Sequence, residues 1–237
     1  AYALSDSLHL YTSSYPTAGW FNLVIEGDGT DTILNFDSAT SGPGIAIYGW
    51  GGRLELARFT LKNAFEDGIS VNHGETISSA KYISRLNFHD IVIEDCGRHG
   101  LAMTNTYMSE FSSIESRNNQ SNGFHLAGNH TSLSFTRCWA GGDATYQNGG
   151  NKGTGWFING VIYSTFEACA SDWSGLAGGM ISNTCTTNLL ICGAESNDKE
   201  GFYISTGSTY RTGVAVPDIY GLTLNGCFAY NNSKEGV

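Results

Sequence analysis

A short recurring pattern constrains this chain more than any other feature. It reads large apolar residue, two corner residues, apolar residue, one outward residue, small inward residue, as in Phe166-Glu-Ala-Cys-Ala-Ser171. In one register its first position recurs as Leu56, Phe88, Phe111, Phe135, Phe166, Ile191 and Leu224. Three residues on stand Phe59, Ile91, Ile114, Cys138, Cys169, Ala194 and Cys227, and two beyond those stand Leu61, Ile93, Ser116, Ala140, Ser171, Ser196 and Ala229. A glycine then follows at Gly68, Gly100, Gly123, Gly155, Gly179, Gly201 and Gly236, with apolar residues after nearly every one.

A repeat of about two dozen residues with Gly and Asn corners and no helical period is what a stacked β-coil requires. No coil can bury its inward side chains alone, so each rests on the coil before and the coil after. Like positions then superpose about 4.8 Å apart, the spacing of neighbouring strands. The expected fold is an all-β solenoid of about eight coils over residues 19–237, preceded by an irregular segment, residues 1–18. Two short strands are expected around Gly27-Asp-Gly29, and Gly44-Ile-Ala-Ile47 marks a coil before Leu56. Longer intervals mark insertions around residues 73–82, 142–153 and 207–218, and solenoids carry function in such loops.

The 31 glycines and 3 prolines suit tight corners between parallel ladders, which proline would break. Charged residues make up only 14% of the chain, leaving an exterior of Ser, Thr, Asn and aromatic residues that suits sugars or protein neighbours. The net charge of −10 argues against nucleic acid, and a polyanionic polysaccharide would need local cationic help. Of six cysteines, Cys138, Cys169 and Cys227 share one inward column, as small buried thiols do. No CxxC or HxxxH spacing calls for a structural zinc, and no cofactor is implied. No basic-then-apolar leader and no run of 18 apolar residues is present, so no membrane partner is expected. The sequence lacks an initiating Met and stops in mid-coil, as a piece trimmed from a longer protein would.

The opening Val24-Ile-Glu-Gly-Asp-Gly-Thr-Asp-Thr-Ile-Leu34 and the coils in which Asn63, Asp95, Asn118 or Asn231 precedes Gly-apolar-x-apolar by four residues carry a resemblance. The chain resembles the right-handed parallel β-helices of the pectate-lyase-like superfamily, and within it most resembles bacteriophage tailspike and depolymerase central domains. That resemblance implies a homotrimeric virion protein that binds and cleaves bacterial surface polysaccharide, capsule or O-antigen, with no cofactor. Two other functions suit the same fold: a secreted polysaccharide lyase or epimerase, and a non-catalytic glycan-binding appendage shaft. Neither the calcium-binding Asp cluster of polymer lyases nor the Asp-Pro-His motif of alginate epimerases has a match, so no catalytic residue carries over.

Candidate residues come from the outward positions of the register. Thr60, Val92, Glu115, Trp139, Ala170, Glu195 and Phe228 form one column, and Lys62, Glu94, Arg117, Gly141, Asp172, Asn197 and Tyr230 the next. Asp172 and Glu195 fall on neighbouring coils, offset by two residues, with backbones about 8 Å apart. That suits an inverting glycosidase pair, Glu195 protonating the leaving oxygen and Asp172 activating water. Two solvated carboxylates on an exposed face would look the same. Glu115 and Asp143 are reserve carboxylates. Trp139, Trp173, Tyr146, Tyr203 and Tyr210 are candidate sugar platforms, although packing between protomers would account for them equally. Arg137 beside Glu167 offers β-elimination on a uronic acid, or an ordinary surface ion pair. His89-Asp90, Glu94-Asp95 and His99 read as corner hydrogen bonding, and no Gly-x-Ser-x-Gly elbow is present.

Overall fold

The computed structural model describes residues 1–11, 22–49, 52–72, 83–142, 150–205 and 219–234. Among these residues every regular element is a β-strand, and every strand pairing is parallel, with the coil before or the coil after. Ile25, Leu56, Phe88, Phe111, Phe135, Phe166, Leu189 and Leu224 stand in register, giving eight windings. The ring pairs confirm the column: Phe111 stacks on Phe135 at 4.5 Å and Phe135 on Phe166 at 5.1 Å, with Phe88 meeting Phe111 edge-on at 5.4 Å. Phe124 and Trp156 form a second stack at 3.9 Å and meet the Phe135 and Phe166 rings edge-on. Two aromatic columns with ring planes at right angles thus run side by side along the lumen, an arrangement that favours ring quadrupoles as well as burial.

The corners repeat as strictly as the core. The residue two past the first column adopts a left-handed conformation at Arg58, Asp90, Ser113, Arg137, Ala168 and Ile191, with φ of 51 to 58°. Turning there swings the next inward residue onto a new sheet. A second ladder holds the opposite turn: Asn119 Nδ2 donates to Asn151 Oδ1 at 2.8 Å, and Asn197 Nδ2 to Asn232 Oδ1 at 2.8 Å. Each Asn also serves backbone groups, as when Asn151 Nδ2 donates to Ser116 O, so buried main-chain polar atoms keep partners where no strand supplies them. The glycines are required by close approach. A Cβ on Gly100 would lie 1.9 Å from Ser116 Oγ and 2.8 Å from Gly123 O, and one on Gly155 would lie 1.9 Å from Ser171 Oγ and 2.8 Å from Gly178 O. The third inward column shrinks to Ser and Ala because it faces this glycine ladder.

The expected register fails at one coil. Leu189, not Ile191, occupies the first column; Ile191 sits at the left-handed corner and is 63% exposed. Cys192 therefore joins Cys138, Cys169 and Cys227, and Ala194, not Ser196, completes the third column. All six cysteines are free, and the four of this column donate to main-chain carbonyls of the preceding coil. The glycine of the Phe166 coil is Gly178 rather than Gly179. The N-terminal segment expected to be irregular contributes strands Tyr2–Ala3 and Leu8–Tyr11, which pair with Ile33–Asn35 and Ile45–Tyr48. No described helix is long and apolar enough to cross a membrane.

Candidate active site

The two-residue shift at Leu189 moves every outward residue of that coil. Gly193, not Glu195, follows Ala170 in the first outward column, and Glu195, not Asn197, follows Asp172 in the second. Asn197 belongs to the buried Asn ladder. Asp172 and Glu195 are therefore direct register partners, with strand backbones about 4.8 Å apart instead of the expected 8 Å. The second outward column now reads Glu94, Arg117, Gly141, Asp172, Glu195 and Tyr230.

Each carboxylate has a distinct setting. Asp172 is half-buried and accepts a 2.7 Å hydrogen bond from the indole Nε1 of Trp139, one coil earlier. The indole can reach it because Gly141 has no side chain; a Cβ there would lie 2.5 Å from the ring. Burial raises the Asp172 pKa above the ordinary carboxylate range, the Trp139 hydrogen bond opposes that shift, and the charge of Glu195 adds to it. Glu195 is exposed. On the far side, Phe228 and Tyr230 follow Gly193 and Glu195 in register, and the Phe228 ring lies over Gly193, 2.6 Å from where a Cβ would be. The result is an outward strip, termed the trough, with a carboxylate pair at its centre and an aromatic ring at each end, one over Gly141 and the other over Gly193.

No family model matches the sequence, and no curated protein does either. Pectate lyase Pel9A superposes with a TM-score of 0.51 at 12% identity, over 97% of this chain and 67% of that one. The chain has the pectate-lyase-like parallel β-helix fold. The enzymatically active domain of bacteriophage CBA120 tailspike protein 2 gives 0.48 at 17% identity, and ORF18 of Geobacillus virus E2 gives 0.48 at 11%. This β-helix spans 38% of the tailspike chain and 53% of the Geobacillus virus chain. At such identities the likeness reaches the fold and stops there.

Other candidates lie elsewhere on the β-helix. Glu115 precedes Trp139 in register and is held by Arg117 Nη1 at 2.7 Å, so it is engaged one coil short of the trough. Trp173 follows Asp172 at a left-handed corner. Tyr203 stands on a different sheet, in register with Met180 and Phe157, beyond the Asn ladder. Asp143, Tyr146 and Tyr210 lie outside the described residues, as does most of each insertion. Arg137 turns a corner two residues before Trp139, its N–H bonded to Glu167 O; among the described residues no ion pair joins the two side chains.

The expected His and carboxylate cluster divides into three. His89 bridges Asp90 at 2.9 Å and Glu55 at 3.3 Å; Glu94 binds Arg117; His99 stacks on His125 at 4.1 Å, which stacks on Phe157 at 4.7 Å. A cavity of about 320 Å³ opens at the N-terminal end among Tyr2, Ile25, Glu26, Asp28 and Phe59, far from the trough in coil order. No group of three or more His, Cys, Asp or Glu with metal-holding geometry occurs among the described residues.

Sequence reasoning missed Phe228 and Tyr230 as trough residues and the Trp139 to Asp172 bond. The cysteines carried the signal: placing Cys192 with Cys138, Cys169 and Cys227 restores both the register and the trough.

Proposed function

We propose that the chain binds and hydrolyses a bacterial surface polysaccharide, with Asp172 as general acid and Glu195 as the second carboxylate. The observation that carries the reading is the pairing of a half-buried, Trp-bonded Asp with an exposed Glu on adjacent strands of an outward face. Glycosidic cleavage asks for two carboxyl groups whose environments separate their roles. Burial favours the protonated form at Asp172, which suits it to protonate the glycosidic oxygen as the bond to the anomeric carbon breaks. As register partners on adjacent strands, with backbones about 4.8 Å apart, the two carboxylates suit the closer spacing of retaining pairs better than the wider gap that inverting pairs leave for water. Glu195 accordingly attacks the anomeric carbon to form a glycosyl ester. Water, deprotonated by Asp172, then releases the sugar and regenerates both groups. This reverses the roles that the eight-ångström offset suggested.

Residence on a phage tail as a homotrimer belongs to the same proposal. Its support is a charge-poor exterior and the exposed Met108, Tyr163 and Tyr220 along one edge of the solenoid, which a protomer contact would cover. Sedimentation should then give three times the monomer mass. Incubation with capsule or O-antigen should yield shorter chains whose new ends keep the anomeric configuration by NMR. Asp172→Asn and Glu195→Gln should each cut turnover by at least about a hundredfold. An ultraviolet-absorbing unsaturated uronate end would instead show elimination and return attention to Arg137; undiminished cleavage by both variants would remove this pair.

A further inference from the structure

We propose that the trough selects an uncharged polysaccharide, laid along the solenoid axis at one sugar ring per coil, with Tyr230 closing the far end. The inference rests on the trough being the binding site, as set out above, and adds the class and direction of its ligand.

Charge gives the class. Asp172 and Glu195 stand in register, and among the described residues burial, the Trp139 N–H and Glu195 set the environment of Asp172. The nearest cation of this column, Arg117, is two coils earlier, about 10 Å away by strand spacing. It is already held by Glu94 and Glu115, each at 2.7 Å. A uronate or sialate placed over Asp172 and Glu195 would meet two like charges, with the nearest guanidinium of their own column already paired. A neutral hexose or N-acetylhexosamine offers hydroxyl donors to the same oxygens.

Shape gives the direction. Along the axis the second outward column runs indole over Gly141, then Asp172, Glu195 and the phenol of Tyr230, three strand steps or about 14 Å. Across the axis the column is bounded on one side by left-handed corners such as Trp173 and Ser196, whereas from coil to coil it runs on without a break. Ala170 keeps the floor low behind Trp139, and the Phe228 ring covers Gly193. Tyr230 is 65% exposed and sits one coil past Glu195, where the sugar beyond the cleaved bond would lie. A chain filling the trough therefore spans three or more sugars and stacks at both ends.

The test separates binding from cleavage. The Glu195→Gln protein, alone and combined with Tyr230→Ala, is applied to an array of bacterial capsule and O-antigen fragments two to six sugars long, half of them uncharged and half carrying uronate. The expected ligands are uncharged fragments of three sugars or more, bound with little change between low and high salt. Tyr230→Ala should weaken them about tenfold, while Tyr203→Ala, on another sheet, leaves binding unchanged. Preference for uronate fragments, an unchanged affinity in Tyr230→Ala, or binding to none of the fragments would each overturn the proposal. Wild-type cleavage of a uronate polymer would overturn this inference and leave the hydrolytic pair intact; Tyr230-dependent neutral binding without any cleavage would do the reverse.

Discussion

At the scale of single residues, the indole of Trp139 tunes Asp172, the proposed acid. Its N–H bonds the ionised form of Asp172 and so lowers a pKa that burial and Glu195 raise. Trp139→Phe removes the donor and leaves the ring, so the Asp172 pKa should rise further. Because the acid must carry its proton, the alkaline limb of the pH-rate profile should move to higher pH; a limb that stays put would mean Asp172 is not the acid. His99 and His125 make a second residue-scale prediction. Burial lowers their pKa values to about 4 and about 3, against an ordinary value of 6.5. The unfolded chain then takes up protons that the folded chain refuses as pH falls from about 6.5 towards 3, and stability declines across that window. The melting temperature should drop between pH 7 and pH 4. His125→Phe, which can still stack on Phe157, should blunt the drop.

At the scale of the coil, what was legible in the sequence was whatever the packing forces to repeat. Phe88, Phe111, Phe135 and Phe166 could be aligned because a large ring must rest on a ring, and Gly100, Gly123 and Gly155 because nothing larger passes the third column. The register slipped where that pressure was ambiguous. Leu189-Leu-Ile191 presents three apolar residues in a row, and only the corner at Ile191 and the thiol at Cys192 tell which one points inward. Glu195 thus stands in the second outward column, beside Asp172, and not in the first where the expected register put it. Two substitutions test the coil. Gly155→Ala drives a Cβ into Ser171 and the Gly178 carbonyl and should cost about 2 to 3 kcal/mol. Asn151→Ala orphans the Ser116 carbonyl and the donors of Asn119, which should cost about 1 to 3 kcal/mol. Both are read from denaturant unfolding, and losses below about 0.5 kcal/mol would contradict the ladder roles.

At the scale of the molecule, the stack explains why the function resists reading from sequence. A β-helix uses its repeated residues for shape, so the trough arises from departures: Gly141 and Gly193 where an aromatic ring lies over the backbone, Trp139 and Tyr230 at outward positions that the stack does not dictate. No local motif joins Trp139 to Asp172, 33 residues apart, or Asp172 to Glu195 on the next coil; the winding alone brings them together. The most direct measurement is the chain length of purified host capsule or O-antigen after incubation with the wild-type protein, Asp172→Asn and Glu195→Gln, followed by size exclusion. The account predicts shortened polysaccharide with the wild type and full-length polysaccharide with both folded variants. Equal shortening by all three proteins would contradict it.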